Sequence, residues 1–165
     1  MFSGCEMDIW NNKQWVKYYN RNIHRVGLRV RYEKTVSLEV KRAVSEFISW
    51  LRKKYIFPKR VNIYVKGKRR IKSMYGDFVC GTFFRPIDRD VEPYIRIATG
   101  DYAELLETEG KDNALASFLW TVAHELTHYF QWLNDLNLTF IGEERQASIY
   151  ANRIINDYAQ TRDHP

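Results

Sequence analysis

NALASFLWTVAHELTHYFQWL, residues Asn113 to Leu133, is the stretch on which the reading of this chain turns. Leu115, Phe118, Leu119, Val122, Leu126, Phe130 and Leu133 recur at three- and four-residue steps, the period of an amphipathic helix. Asp112 or Asn113 is the expected N-cap. At 100° per residue those apolar positions fall within about 60° on either side of Leu115, whereas His124 and His128 fall near about 180° and 220°. The two histidines therefore point away from the face that builds the core.

Between them lies Glu125, completing His124-Glu125-Leu126-Thr127-His128. Residues four apart stand one turn apart on the same side, so both imidazoles can turn a ring nitrogen toward one Zn2+. From its intermediate position Glu125 can reach an attacking water without becoming a ligand, take its proton and later return one to a leaving amine. With 4 His and 11 Glu in 165 residues, about 0.006 such patterns are expected by chance. The competing reading, histidines that merely pack with their polar edges satisfied, suits one such residue better than two flanking a glutamate.

A catalytic zinc needs a third protein ligand and one open position. Continuation of the motif as x-x-Gly-x-x-His fails, because positions 131 and 134 are Gln131 and Asn134, and His164 stands at the chain end. A downstream carboxylate remains. Gly142-Glu143-Glu144-Arg145-Gln146-Ala147-Ser148-Ile149-Tyr150-Ala151 opens a second helix reaching about Ala159. On it Glu144 shares a face with Ala147, Ala151, Ile155 and Tyr158, where an unpaired carboxylate is expensive and coordination accounts for it. Glu143 is the fallback ligand, and either acid could instead simply complement the helix dipole. Tyr150 or Tyr129 could supply a phenol to an oxyanion, and spacing does not choose between them.

His124-Glu-Leu-Thr-His128, a 16-residue step, then Glu144-x-x-Ala147-x-x-Tyr150-Ala151 resembles the compact gluzincin-type metallopeptidases, most closely the ImmA/IrrE-like group with its HExxH and E-x-x-A-x-x-F-A pattern. The resemblance covers mainly residues 111–160. It implies that His124, His128 and Glu144 are zinc ligands, that Glu125 is the general base, and that an edge strand above the metal holds an extended peptide. Ser148 and Tyr150 depart from the group, which commonly has Asn or Asp and Phe there.

The remaining chain is read as one domain over 1–165, with 45% hydrophobic residues and no linker-like tract. Residues 1–34 mix aromatic and basic side chains as helix and loop. Ser37 to Tyr55 keeps helical spacing, and Pro58 lies beyond its end. Segments 61–65, 75–84 and 94–98 read as strands, 85–90 as a turn-rich connection, and a short helix begins near Asp101. The expected fold class is α+β, a zincin-like minimal metalloprotease domain with a small three-stranded sheet packed against the active-site helix and a following ligand helix. Residues 94–98 are the candidate edge strand, or only a strand of the sheet.

The N-terminus lacks a basic region followed by an apolar stretch, no run reaches membrane-spanning length, and Cys5 and Cys80 make neither a disulfide framework nor a CxxC site. A cytoplasmic location without membrane attachment is the expectation. Charge divides unevenly: residues 1–72 hold 19 Lys or Arg against 5 Asp or Glu, for +14, and residues 73–165 hold 7 against 15, for −8. Arg52-Lys53-Lys54 and the run from Lys66 to Lys72, with Trp15, Tyr18 and Tyr19 upstream for stacking, admit a nucleic-acid partner. A solvated basic face balancing an acidic one in the same fold is the simpler account. Two functional classes follow: a zinc peptidase acting on a protein or peptide substrate, or a basic nucleic-acid- or protein-binding module whose zinc is structural and non-catalytic.

Overall fold

The alternation in 61–65 becomes the second strand of a sheet in the computed structural model, which describes residues 8–17 and 25–161. The strands are β1 (Leu28–Tyr32), β2 (Val61–Lys66), β3 (Ile71–Lys72), β4 (Phe78–Val79), β5 (Gly81–Phe84) and β6 (Tyr94–Ala98). The helices are α1 (Leu38–Lys54), α2 (Tyr102–Glu109), α3 (Lys111–Leu133) and α4 (Phe140–Thr161). The α+β class stands, but the sheet has four strands in the order β1-β2-β6-β5, not three. β1, β2 and β6 run parallel and β5 runs antiparallel to β6, while β3 and β4 form a separate hairpin. The extra strand β1 lies in the segment read as helix and loop. Its five residues alternate too briefly to outweigh their surroundings, and its backbone pairs only across the α1 crossover, with β2.

The three parallel strands place Leu28, Val61, Ile63, Val65, Ile95 and Ile97 on one buried face. α1 and α3 pack there. Ser37 caps α1 by accepting from the Glu39 N–H, which the helical spacing and a preceding serine made legible. α3 starts differently from expectation. Neither Asp112 nor Asn113 caps it; Gly110, at φ 84°, turns the chain from α2 directly into α3, with no side-chain cap. A positive φ is open to glycine at no steric cost, so the two helices need no longer linker.

α3 is also less amphipathic than its sequence reads. From Glu125 to Leu133 every residue is buried. Trp10, 2% exposed, seats its indole against Phe130 and donates from Nε1 to Thr127 Oγ1 at 3.1 Å. The N-terminal segment thus covers the flank of α3 that periodicity alone would leave wet. Trp15 is buried in the same core, so it is not a stacking surface; Tyr18, Tyr19, Cys5 and His164 lie outside the described residues.

At its C-terminus α3 closes with Asp135 at φ 54°, Asp135 N–H donating to Trp132 O and Leu136 N–H to Gln131 O. This pair of bonds is a Schellman motif with aspartate in the left-handed position usually given to glycine. It reverses the chain, and α4 returns along α3.

The two charge halves meet in ion pairs: Arg25 with Glu92, Lys54 with Asp157, Arg69 with Glu104 and Arg70 with Asp101. Among the described residues no helix is long and apolar enough to cross a membrane.

Candidate metal centre

One turn of α3 and the second turn of α4 bring three donor side chains together. His124 Nε2 lies 3.1 Å from Glu144 Oε2, and His128 Nε2 lies 3.1 Å from Glu144 Oε1. Ligand atoms of the three residues all fall within 4.8 Å of one another. Donors bound tetrahedrally at 2.0–2.1 Å from one ion sit about 3.3 Å apart, close to the two His–Glu separations of 3.1 Å. The side chains are 12%, 9% and 43% exposed for His124, His128 and Glu144. The opening is therefore on the glutamate side.

The hydrogen bonds around His128 supply a test of whether a cation fits. The Gln131 amide nitrogen donates to Glu143 O and to Gln146 Oε1, both at 3.0 Å, which turns Gln131 Oε1 toward His128 Nδ1 at 2.8 Å. An amide oxygen there can only accept, so the network assigns the proton to Nδ1. His128 Nε2 then presents a lone pair to a carboxylate oxygen. Two acceptors at that separation repel unless a proton or a cation lies between them. A neutral imidazole with its other nitrogen donating to an oxygen is the state that metal ligation uses. His124 is stacked on Trp120, with centroids 5.0 Å apart, and its buried Nδ1 has no hydrogen-bond partner among the described residues. Burial, then the neighbouring His128, pushes its pKa down against the pull of Glu144, again favouring the neutral ring.

Glu125 is not among the three donors. Its carboxyl is buried beside them, at the foot of a cleft of about 840 Å³, and faces the edge strand β5. Burial, joined by the charge of Glu144, pushes this carboxyl up to about 8. A cation held by the three donors would offset the second cause and oppose the first.

The backbone of β5 comes so close that a Cβ on Gly81 would stand 2.6 Å from Thr121 Cγ2 and 3.2 Å from Glu125 Oε1. Only glycine lets the strand lie this near the turn of α3 that carries Thr121 and Glu125. Edge position therefore belongs to β5, and the candidate edge strand 94–98 is interior: β6 is paired on both sides, by β2 and by β5.

Glu143 takes a different direction from Glu144. Its two oxygens pair with Arg85 Nη1 and Nη2 at 2.9 and 3.1 Å, outside the three-donor group. Neither expected phenol borders the cleft. Tyr129 is fully buried, donates to Lys59 O and accepts from Lys59 N–H; Tyr150 accepts from the Ile9 N–H. The tyrosines along the cleft are Tyr75 and Tyr94.

Three contributors escaped the reading of the chain. Gln131 stands three residues after His128, a spacing at which helical side chains meet, so its pairing with that ring was there to be found. Trp120, four residues before His124, had the same signal. Gly81 had none, because its role depends on a strand approaching from forty residues away. No protein-family model, curated protein or solved structure matches this chain.

Proposed function

We propose that this chain is a zinc-dependent metallopeptidase of the compact gluzincin type that its motifs resemble. The observation carrying this reading is the meeting of two imidazole nitrogens and one carboxylate, with Glu125 outside that group but lining the same open cleft. A donor set of two His and one Glu suits zinc, and the ion when bound supplies Lewis-acid polarisation of water and of a scissile carbonyl.

The chain's own residues do the rest. His124, His128 and Glu144 hold the ion, and Gln131 keeps the His128 ring in its ligating tautomer. With the ion's charge holding its carboxyl ionised against burial, Glu125 takes a proton from the attacking water and passes it to the leaving amine. The unpaired side of β5 offers main-chain groups to an extended peptide, laying it across the cleft. Only three donors converge among the described residues, which favours an open site over a structural zinc closed by four ligands.

Metal analysis and a casein-cleavage assay test the reading together. Glu125→Gln should retain about one zinc per chain and lose at least about a hundredfold in hydrolysis. Glu144→Ala should lose both. Cleavage by Glu125→Gln at the wild-type rate would overturn the assigned base, and unchanged zinc in Glu144→Ala would overturn the ligand set.

A further inference from the structure

The sheet carries helices on one face only. On the other face two cross-strand rows stand side by side: Arg31, Tyr64, Arg96 and Thr82, then Arg29, Asn62, Tyr94 and Phe84. Their alternation partners, among them Ile63, Ile95 and Phe83, face the core, so these side chains point away from α1 and α3. Sheets built from parallel strands are ordinarily covered on both faces. This one is left with its outer face half exposed across three parallel strands.

The chemistry of that face is specific. Tyr94 stacks on Phe84 with centroids 4.9 Å apart and planes 21° from parallel, and Tyr64 meets Tyr94 edge-on at 5.9 Å. The three partly exposed rings step across β5, β6 and β2. Around them stand Arg29, Arg31 and Arg96, with Lys66 Nζ lying over Tyr64 at 5.6 Å. The four strands contain no Asp or Glu at all. Arg29 and Arg31 are exposed and make no ion pair among the described residues. Among the described residues Arg96 reaches only Lys72 O, from Nη2, and its buried Nε has no partner there.

The dense basic run after β2 is unlike this, since Arg69 and Arg70 are already paired with acids. Arg29 and Arg31, by contrast, stand unpaired among the described residues on the face that carries the stacked aromatic row.

We propose that the outer face of the sheet binds single-stranded nucleic acid, its bases stacking on Tyr94, Phe84 and Tyr64 and its phosphates on Arg29, Arg31 and Arg96. Aromatic side chains on an open sheet take two or three unstacked bases, and flanking cations follow the backbone. Complementary charge selects a polyanion, and the rings select one with free base faces. Phe84, Tyr94 and Arg96 also line the cleft that reaches round the edge of β5 to the metal centre, but none of them is among its three donors, so the inference does not depend on the metal.

Fluorescence anisotropy of the full chain with labelled oligothymidylate of about 12 nucleotides tests it. Binding should weaken with salt at a log–log slope of about −2, from about 0.7 per phosphate contact by three arginines. Arg29→Ala with Arg31→Ala should flatten that slope by about 1.4. Tyr94→Ala should weaken binding about tenfold or more with the slope kept. Tyr94→Leu, which preserves apolar packing, should behave alike if stacking is the cause. His128→Ala should bind as the wild type does, separating this result from any failure of the peptidase reading. Absence of saturable binding at low salt would overturn the proposal, as would affinity unmoved by these substitutions. So would equal competition from a duplex of the same length or from polyglutamate, which have charge without free bases.

Discussion

At the scale of single residues, the site depends on neighbours that are not ligands. Gln131 orients His128 through one amide whose other end is anchored on α4. Gln131→Leu should therefore weaken zinc binding by about 10- to 100-fold, measured by competition with a chelator of known affinity, because outer partners of ligating histidines typically carry that much. Affinity unchanged in that variant would mean that the ring is oriented by something else. Gly81 is a second case. An added methyl meets Thr121 Cγ2 and the Glu125 carboxyl, so Gly81→Ala should destabilise by about 1–3 kcal/mol and lower activity. Adding Thr121→Ser removes the obstructing methyl while keeping a hydroxyl for Ser117 O, and should recover part of the stability in denaturant titration. No recovery in the double variant would show that the clash is not the cause.

At the scale of elements, α3 has to be buried on every side of its last turns while presenting two imidazoles to a cleft. It manages this by being wrapped: α1 and the sheet on one side, α4 on another, and the segment around Trp10 on a third. The bond from Trp10 Nε1 to Thr127 Oγ1 joins that segment to the turn bearing the candidate site, since Thr127 lies between Glu125 and His128. Thr127→Val keeps the shape and removes the acceptor. The indole N–H is then buried unpaired, at a cost of about 1–3 kcal/mol, readable as a lower urea midpoint at unchanged slope. Combining it with Trp10→Phe should cost less than the two changes summed, and full additivity would show that the pair does not interact. The Schellman turn at Asp135 matters at this scale too, because the return of α4 along α3 is what sets Glu144 opposite the histidines.

At the scale of the whole molecule, a three-donor group split between two helices would couple cation binding to folding. An ion bound only by the folded chain at 100 times its dissociation constant adds about 2.7 kcal/mol of stability. EDTA should accordingly lower the melting temperature of the wild type and leave that of His128→Ala unchanged. An equal shift in both would place the metal elsewhere. Sequence alone determined what local order can carry: the α1 and α3 periods, the strands at 61–65 and 94–98, the His124-Glu125-His128 triplet and the opening of the helix that bears Glu144. These are repeats and spacings within one element, where neighbours along the chain are neighbours in space. Only the tertiary structure decided that β1 joins the sheet, that β5 rather than 94–98 is the edge beside the cleft, and that Glu143 turns to Arg85 while Glu144 turns to the histidines. It likewise decided that Tyr129 and Tyr150 are spent on main-chain partners. Each of these depends on contacts between segments tens of residues apart, and no period or spacing within a single segment encodes which distant surface will arrive beside it.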